Sequence, residues 1–170
     1  MVDGEAQPIR TDYRAALDCC LALSDPELDN TNKVLEVLDI LYVNEIPPES
    51  WKEAIEQALW YLRGGEDEKE QKGPKLVDWE QDFNLIAAPV SKVIGQDIRG
   101  LESLHWWTFL SAYMSIGDCY FAQIVRIRDL KARKKPLDKS DREFYRRNRE
   151  AIDIKARYTE AEDTILKEWT

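Results

Sequence analysis

Leu104-His105-Trp106-Trp107-Thr108-Phe109-Leu110 is the stretch on which the reading of this chain turns. Two of the six tryptophans stand side by side here, after the only histidine. From Ser103 to Gly117 there is no Asp, Glu, Lys or Arg, although 34% of the chain is charged. So much aromatic area has to be buried against other elements. Adjacent helical residues lie about 100° apart, so one indole faces a core while the other covers a flank. The spacing to Leu104, Leu110 and Met114 makes Trp107 the expected core member. A Ser103 cap and a stop near Ile116-Gly117 bound the expected helix. His105 has no second metal ligand and no cysteine at catalytic spacing, which points to a structural or surface role.

Working outward, Asp78 is a good N-cap, and Gln81 three residues on can complete a capping box. Trp79, Phe83, Ile86, Ala87, Val90 and Ile94 then fall on one helical side, with Pro89 expected to kink or split the run. Asp78, Glu80 and Asp82 diverge around such a helix and do not form an acid–base pair. After Gly117-Asp118, a stop followed by a new cap, Phe121, Ile124, Val125 and Arg128 share a face. Lys131 to Pro136 ends that helix. Ser140-Asp141-Arg142-Glu143 reads as a capping box for a last helix carrying Phe144, Tyr145, Ile152, Ile154 and Tyr158 on a thin stripe.

Upstream, Thr11 or Asp12 caps a helix with Tyr13, Ala16, Leu17, Cys20 and Leu21 on one face. Val34, Val37, Leu38 and Leu41 form the stripe of a second, their three- and four-residue spacing favouring helix over strand. Ile46-Pro47-Pro48 forces an extended link. Trp51, Ile55, Ala58, Leu59 and Leu62 line a third helix, stopped by Gly64-Gly65. Residues 66–75 are polar and read as an exposed loop. The expected fold is all-α: a compact bundle of about six to seven helices with a basic C-terminal helix. Residues 1–10 form a flexible lead, 11–135 a helical core domain, and 136–170 a basic helix and tail packed on that core.

Composition narrows the function classes. At 170 residues the chain can bury about two-thirds of its unfolded surface. Three cysteines, two of them adjacent, give neither a disulfide framework nor a zinc spacing, and buried thiols in a reducing cytoplasm are expected. The acidic N-terminus lacks the apolar run of a signal peptide, and no window has the ~18 apolar residues of a membrane span. The net charge is −9, but residues 126–157 carry 13 Lys/Arg against 6 Asp/Glu, and the remainder 11 against 27. Such an arm can bind nucleic acid or an acidic partner, or fold back on its own body; the last is favoured, since no base-stacking motif interleaves it. With no phosphate loop, Ser/His/Asp order or metal cluster, no catalytic, metal or cofactor site is expected, and the chain is read as a non-enzyme.

Leu104 to Leu110, then Phe121-Ala-Gln-Ile-Val-Arg-Ile-Arg128, resembles the core motif of the phage "gene product fifteen" family of tailed phages and prophages of Gram-positive bacteria. That pattern is Leu-x-Trp-Trp-x-Phe followed by Ile-x-x-Ile-Arg. Asp12-Tyr13-Arg14, Trp60-Tyr61-Leu62-Arg63-Gly64-Gly65, Asp78-Trp79-Glu80-Gln81-Asp82 and the basic Ser140 to Arg147 stretch resemble further family segments, in order. Pro89 departs from the pattern, and residues 159–170 have no counterpart in it. The family's genes lie beside the tape-measure gene. The resemblance therefore implies a non-enzymatic tail assembly chaperone that keeps the tape-measure protein soluble and helps recruit tail-tube subunits. The major tail-tube protein and a second tail assembly chaperone are further implied partners, with self-association, in the host bacterial cytoplasm and outside the mature virion. Nucleic-acid association through the basic arm is the alternative.

Leu104, Trp106, Trp107, Phe109, Leu110, Ile124 and Ile127 are the expected structural core motif. Trp51, Trp60, Trp79, Phe83 and Tyr113 are the candidate partner-binding residues, because aromatic anchors dominate interface affinity.

Overall fold

Asp12 sets the start of the first helix, and it also ties that helix to a segment far along the chain. In the computed structural model, which describes residues 1–67 and 73–155, its Oδ1 caps α1 (Tyr13–Ser24) by accepting the Arg14 N–H. Its Oδ2 accepts the N–H of Leu104 at 2.9 Å. Tyr13 N–H donates to the Leu104 carbonyl and Trp106 N–H to the Thr11 carbonyl, both at 2.8 Å, so residues 11–13 and 104–106 are bridged antiparallel.

All regular structure among the described residues is helical, as expected. The chain forms two compact units. The first comprises, among the described residues, 1–67 and 103–107. In it α1 packs on α2 (Asn30–Leu41), and α2 on α3 (Trp51–Leu62), which follows a 3₁₀ turn at Pro48–Ser50. Val37, Leu38 and Leu41 bury the expected stripe of α2. On α1 the buried thiol is Cys19, while Cys20 and Leu21 are half-buried. Burial, helped by the neighbouring Cys20 and Asp18, pushes the Cys19 thiol up to about 12. The Cys19 Sγ faces the Val37 carbonyl at 3.9 Å, which fixes the turn of α1 that meets α2.

The second unit comprises, among the described residues, 73–102 and 108–155. It contains α4 (Trp79–Ile94), most of α5 (Trp106–Met114), α6 (Tyr120–Ala132), α7 (Lys139–Arg147) and the single turn α8 (Arg149–Ile152). Pro89 does not split α4, which runs on to a Gly95 cap. A proline removes one intrahelical bond, and the buried face on either side, Ile86, Ala87 and Val90, holds the two halves in one helix. Ile124, Ile127 and Ile152 form a core cluster flanked by Leu85, Leu137, Phe144 and Tyr145.

Three helix starts differ from expectation. α5 begins at Trp106, where Nδ1 of His105 accepts the Trp107 N–H, so Ser103 is not the cap. α6 is capped by Cys119 through the Ala122 N–H and not by Asp118. α7 is capped by Asp138, whose side chain takes the Asp141 N–H; Ser140 lies inside the helix. The last expected helix is also two: the Asn148 side chain donates to the Phe144 carbonyl and ends α7. Tyr158 and residues 159–170 lie outside the described residues, as do residues 68–72 of the expected polar loop.

Candidate partner-binding surface

The tryptophan pair explains itself through the end of α3. The last carbonyls of a helix lack intrahelical donors. Gly64 and Gly65, at φ 75° and 83°, turn the chain so that their N–H groups reach the Tyr61 and Trp60 carbonyls at 3.0 Å. The indole N–H of Trp106 then donates to the Leu62 carbonyl at 3.0 Å, and that of Trp107 to the Tyr61 carbonyl at 2.9 Å. Two indoles, each with an N–H, complete the cap; two phenylalanines would leave Leu62 without its indole donor and Tyr61 with the Gly64 N–H alone.

The burial of the pair is the reverse of the expectation. Trp106 is 1% exposed and Trp107 36%. The carbonyl each indole must reach decides this, and helical spacing carries no information about it. Trp107 stacks on Tyr61 (5.7 Å, 29°) and meets Trp60 edge-on (5.7 Å, 76°). Tyr61 also donates to the Thr11 carbonyl. Its phenol is pushed up to about 12 by burial, then by the charges of Asp12 and Cys19. Leu104 and Phe109 are buried like Trp106, and Leu110 is half-buried.

In the second unit the acidic run around Asp78 becomes a buried ion pair. Arg128 pairs with Asp82 through both guanidinium arms, at 2.6 and 2.9 Å, with side chains 4% and 0% exposed. Its remaining N–H groups donate to the carbonyls of Ile152 (2.6 Å), Leu76 (2.8 Å) and Ala151 (2.7 Å). That accounts for all five donors of the guanidinium. Asp82 Oδ2 also takes the Asp78 N–H, the part assigned above to Gln81. Gln81 instead reaches the other end of the unit. Its Nε2 donates to the Asp153 carbonyl at 3.1 Å, and its Oε1 accepts the Lys155 N–H at 3.0 Å. A carboxylate saturated in this way is a structural anchor and no general base. Among the described residues no group of three or more His, Cys, Asp and Glu could hold a metal ion.

The aromatic candidates divide between surface and interior. Trp79, Phe83 and Tyr113 are half-buried. Trp79 packs against Tyr113 (5.3 Å) and Phe109 (6.3 Å), and Tyr113 against Phe121 (6.3 Å), so two of them join α4, α5 and α6. Trp60, 38% exposed, sits at the surface with Trp107. Trp51 lines a groove of about 360 Å³ in the first unit, its indole N–H donating to the Ile46 carbonyl. Leu38, Tyr42 and Ile46 are the buried lining residues, Leu35 and Val43 stand 36% and 52% exposed, and Asp39 and Glu45 are exposed beside them. Arg10 closes one end by donating to the Asp39, Ile40 and Tyr42 carbonyls. Leu35 and Val43 were missed in the sequence because both lie off the helical stripe. A leucine on the polar side of α2 was the available signal.

The fold defines an all-helical protein whose polar motif residues are tied to its own backbone. The pattern of the family described as "Bacteriophage Gp15 protein" matches residues 1–154, and the chain belongs to that family. No curated protein and no solved structure matches it. No described helix is long and apolar enough to cross a membrane.

Proposed function

We propose that this bacteriophage protein is a non-enzymatic tail assembly chaperone. It binds segments of the tape-measure protein, keeps them soluble in the host cytoplasm, helps recruit tail-tube subunits and is left out of the mature virion. The observation that carries the reading is the Leu35–Val43–Trp51 groove. It offers exposed apolar side chains on α2 and the link that follows it, in a chain of net charge −9 that keeps a complex soluble. Tape-measure proteins are long and helical, and such grooves take amphipathic helices.

Co-expression with the tape-measure protein of the same phage tests it. Increased tape-measure solubility and co-purification are expected; the absence of both would sink the reading. The nucleic-acid alternative is weaker, because six basic side chains of residues 126–149 pair with carboxylates of their own unit: Arg126–Asp141, Arg128–Asp82, Lys131–Asp153, Arg133–Asp129, Arg147–Glu143 and Arg149–Asp153.

A further inference from the structure

We infer that the Leu35–Val43–Trp51 groove selects a basic amphipathic helix, seating apolar side chains one turn apart against Leu35, Val43 and Trp51 while flanking Lys or Arg face Asp39 and Glu45. The first ground is that the indole, phenol and guanidinium groups of the wall are already satisfied internally. The Trp51 indole donates to Ile46, the Tyr42 hydroxyl to the Ala54 carbonyl at 2.9 Å, and the Arg10 guanidinium to three carbonyls. The groove therefore offers a ligand the apolar surface of Leu35, Val43 and Trp51 beside the polar Asp39, Asn44 and Glu45. Its volume of about 360 Å³ suits a few side chains and excludes a whole helix, so the helix must lie across the mouth and insert anchors.

Charge supplies the second ground. The described residues of the first unit carry 15 Asp/Glu and 5 Lys/Arg, a net −10, against +3 for the described residues of the second. Arg10, the one cation in the lining, sits against the carbonyl end of α2, where its charge is matched by the helix dipole. Asp39 and Glu45 are the exposed charges left at the rim. An acidic helix would meet repulsion there, and a basic one is both steered and held.

The inference rests on the chaperone reading only for the identity of the natural ligand, so two arms separate them. In the first, a Leu/Lys amphipathic helical peptide and its Leu/Glu counterpart are titrated calorimetrically into the full chain. The same is done with a Leu35→Ser/Val43→Ser variant and an Asp39→Asn/Glu45→Gln variant, their folding checked by circular dichroism. The Leu/Lys peptide should bind, lose about tenfold in each variant and weaken with salt. Equal binding of the Leu/Glu peptide overturns the inference. So does Leu/Lys binding that neither variant changes, which marks a general attraction to the acidic unit.

In the second arm the tape-measure protein is co-expressed with the native chain and with both variants. Equal co-purification with all three removes the groove and leaves the chaperone reading. No co-purification with any, beside specific peptide binding, removes the chaperone reading and leaves the groove.

Discussion

Trp106 and Trp107 both engage their indole N–H, but they differ in burial: Trp106 is 1% exposed and Trp107 36%. Trp106→Phe keeps most of the buried ring and deprives the Leu62 carbonyl of its indole donor. A loss of about 1–3 kcal/mol is expected from a buried acceptor left unmade, measured by urea unfolding. Trp107→Phe should cost less, because its Tyr61 acceptor is also served by the Gly64 N–H. Gly65 is the other sensitive residue here. A Cβ on it would lie 3.3 Å from both Trp107 and Trp60, at a φ of +83° that L side chains rarely adopt. Gly65→Ala should therefore destabilise by roughly 1 kcal/mol or more. It should also shift the indole signals of Trp60 and Trp107 in the NMR spectrum, and an unchanged spectrum would show the packing there to be loose.

At the scale of elements, α4 and α6 grip the backbone of residues 150–155 with two side chains, Arg128 and Gln81. Arg128→Lys cannot reproduce the fork to Asp82 or reach three carbonyls, and Asp82→Asn leaves a buried guanidinium without its counter-charge. Each should cost about 3–5 kcal/mol, seen as a lowered unfolding midpoint in denaturant.

Asp153 adds a pH dependence to the same end of the unit. Burial would raise its carboxyl, but hydrogen bonds from Lys131, Tyr145 and Arg149 together hold it below the ordinary 3.8. A depressed carboxylate contributes stability that is present above the unfolded value and is lost as pH falls through the folded one. Amide protection at residues 149–153 should accordingly drop below about pH 4. Asp153→Asn should flatten that dependence in hydrogen exchange.

The helices themselves were legible, since stripes such as Val37-Leu38-Leu41 record burial directly at three- and four-residue spacing. Helix starts were legible where one capping side chain stood alone, as at Asp78; at α1 Thr11 and Asp12 both offered, and Asp12 is the cap. Around residues 138–141 an Asp, a Ser and another Asp compete, and Asp138 takes the cap. The partnership of Asp82 with Arg128, 46 residues apart, had no local signal at all. The groove was half legible: Trp51 is conspicuous, but Leu35 and Val43 gain meaning only once α2 and the link after it have folded around Arg10.

Over the whole molecule, opposite charge is segregated between the two units and is also internally paired in the second. The prediction at this scale concerns nucleic acid. With six of its basic groups engaged by carboxylates, the 126–155 stretch should not hold the protein on heparin at moderate salt. Strong retention with a steep salt slope would revive the nucleic-acid reading.

The bridge between residues 11–13 and 104–106 has a consequence for how the chain is made. Ribosomes deliver about 5–20 residues each second, and domains generally fold as their chain emerges. Here the first unit is interrupted: α1, α2 and α3 are complete by Leu62, but the groups that answer Asp12, Thr11 and the end of α3 lie at 104–107. Nascent α1–α3 therefore wait, with a frayed end, until a further 40 or so residues have left the exit tunnel. A late, long-range closure of this kind slows folding relative to an unbroken helical hairpin.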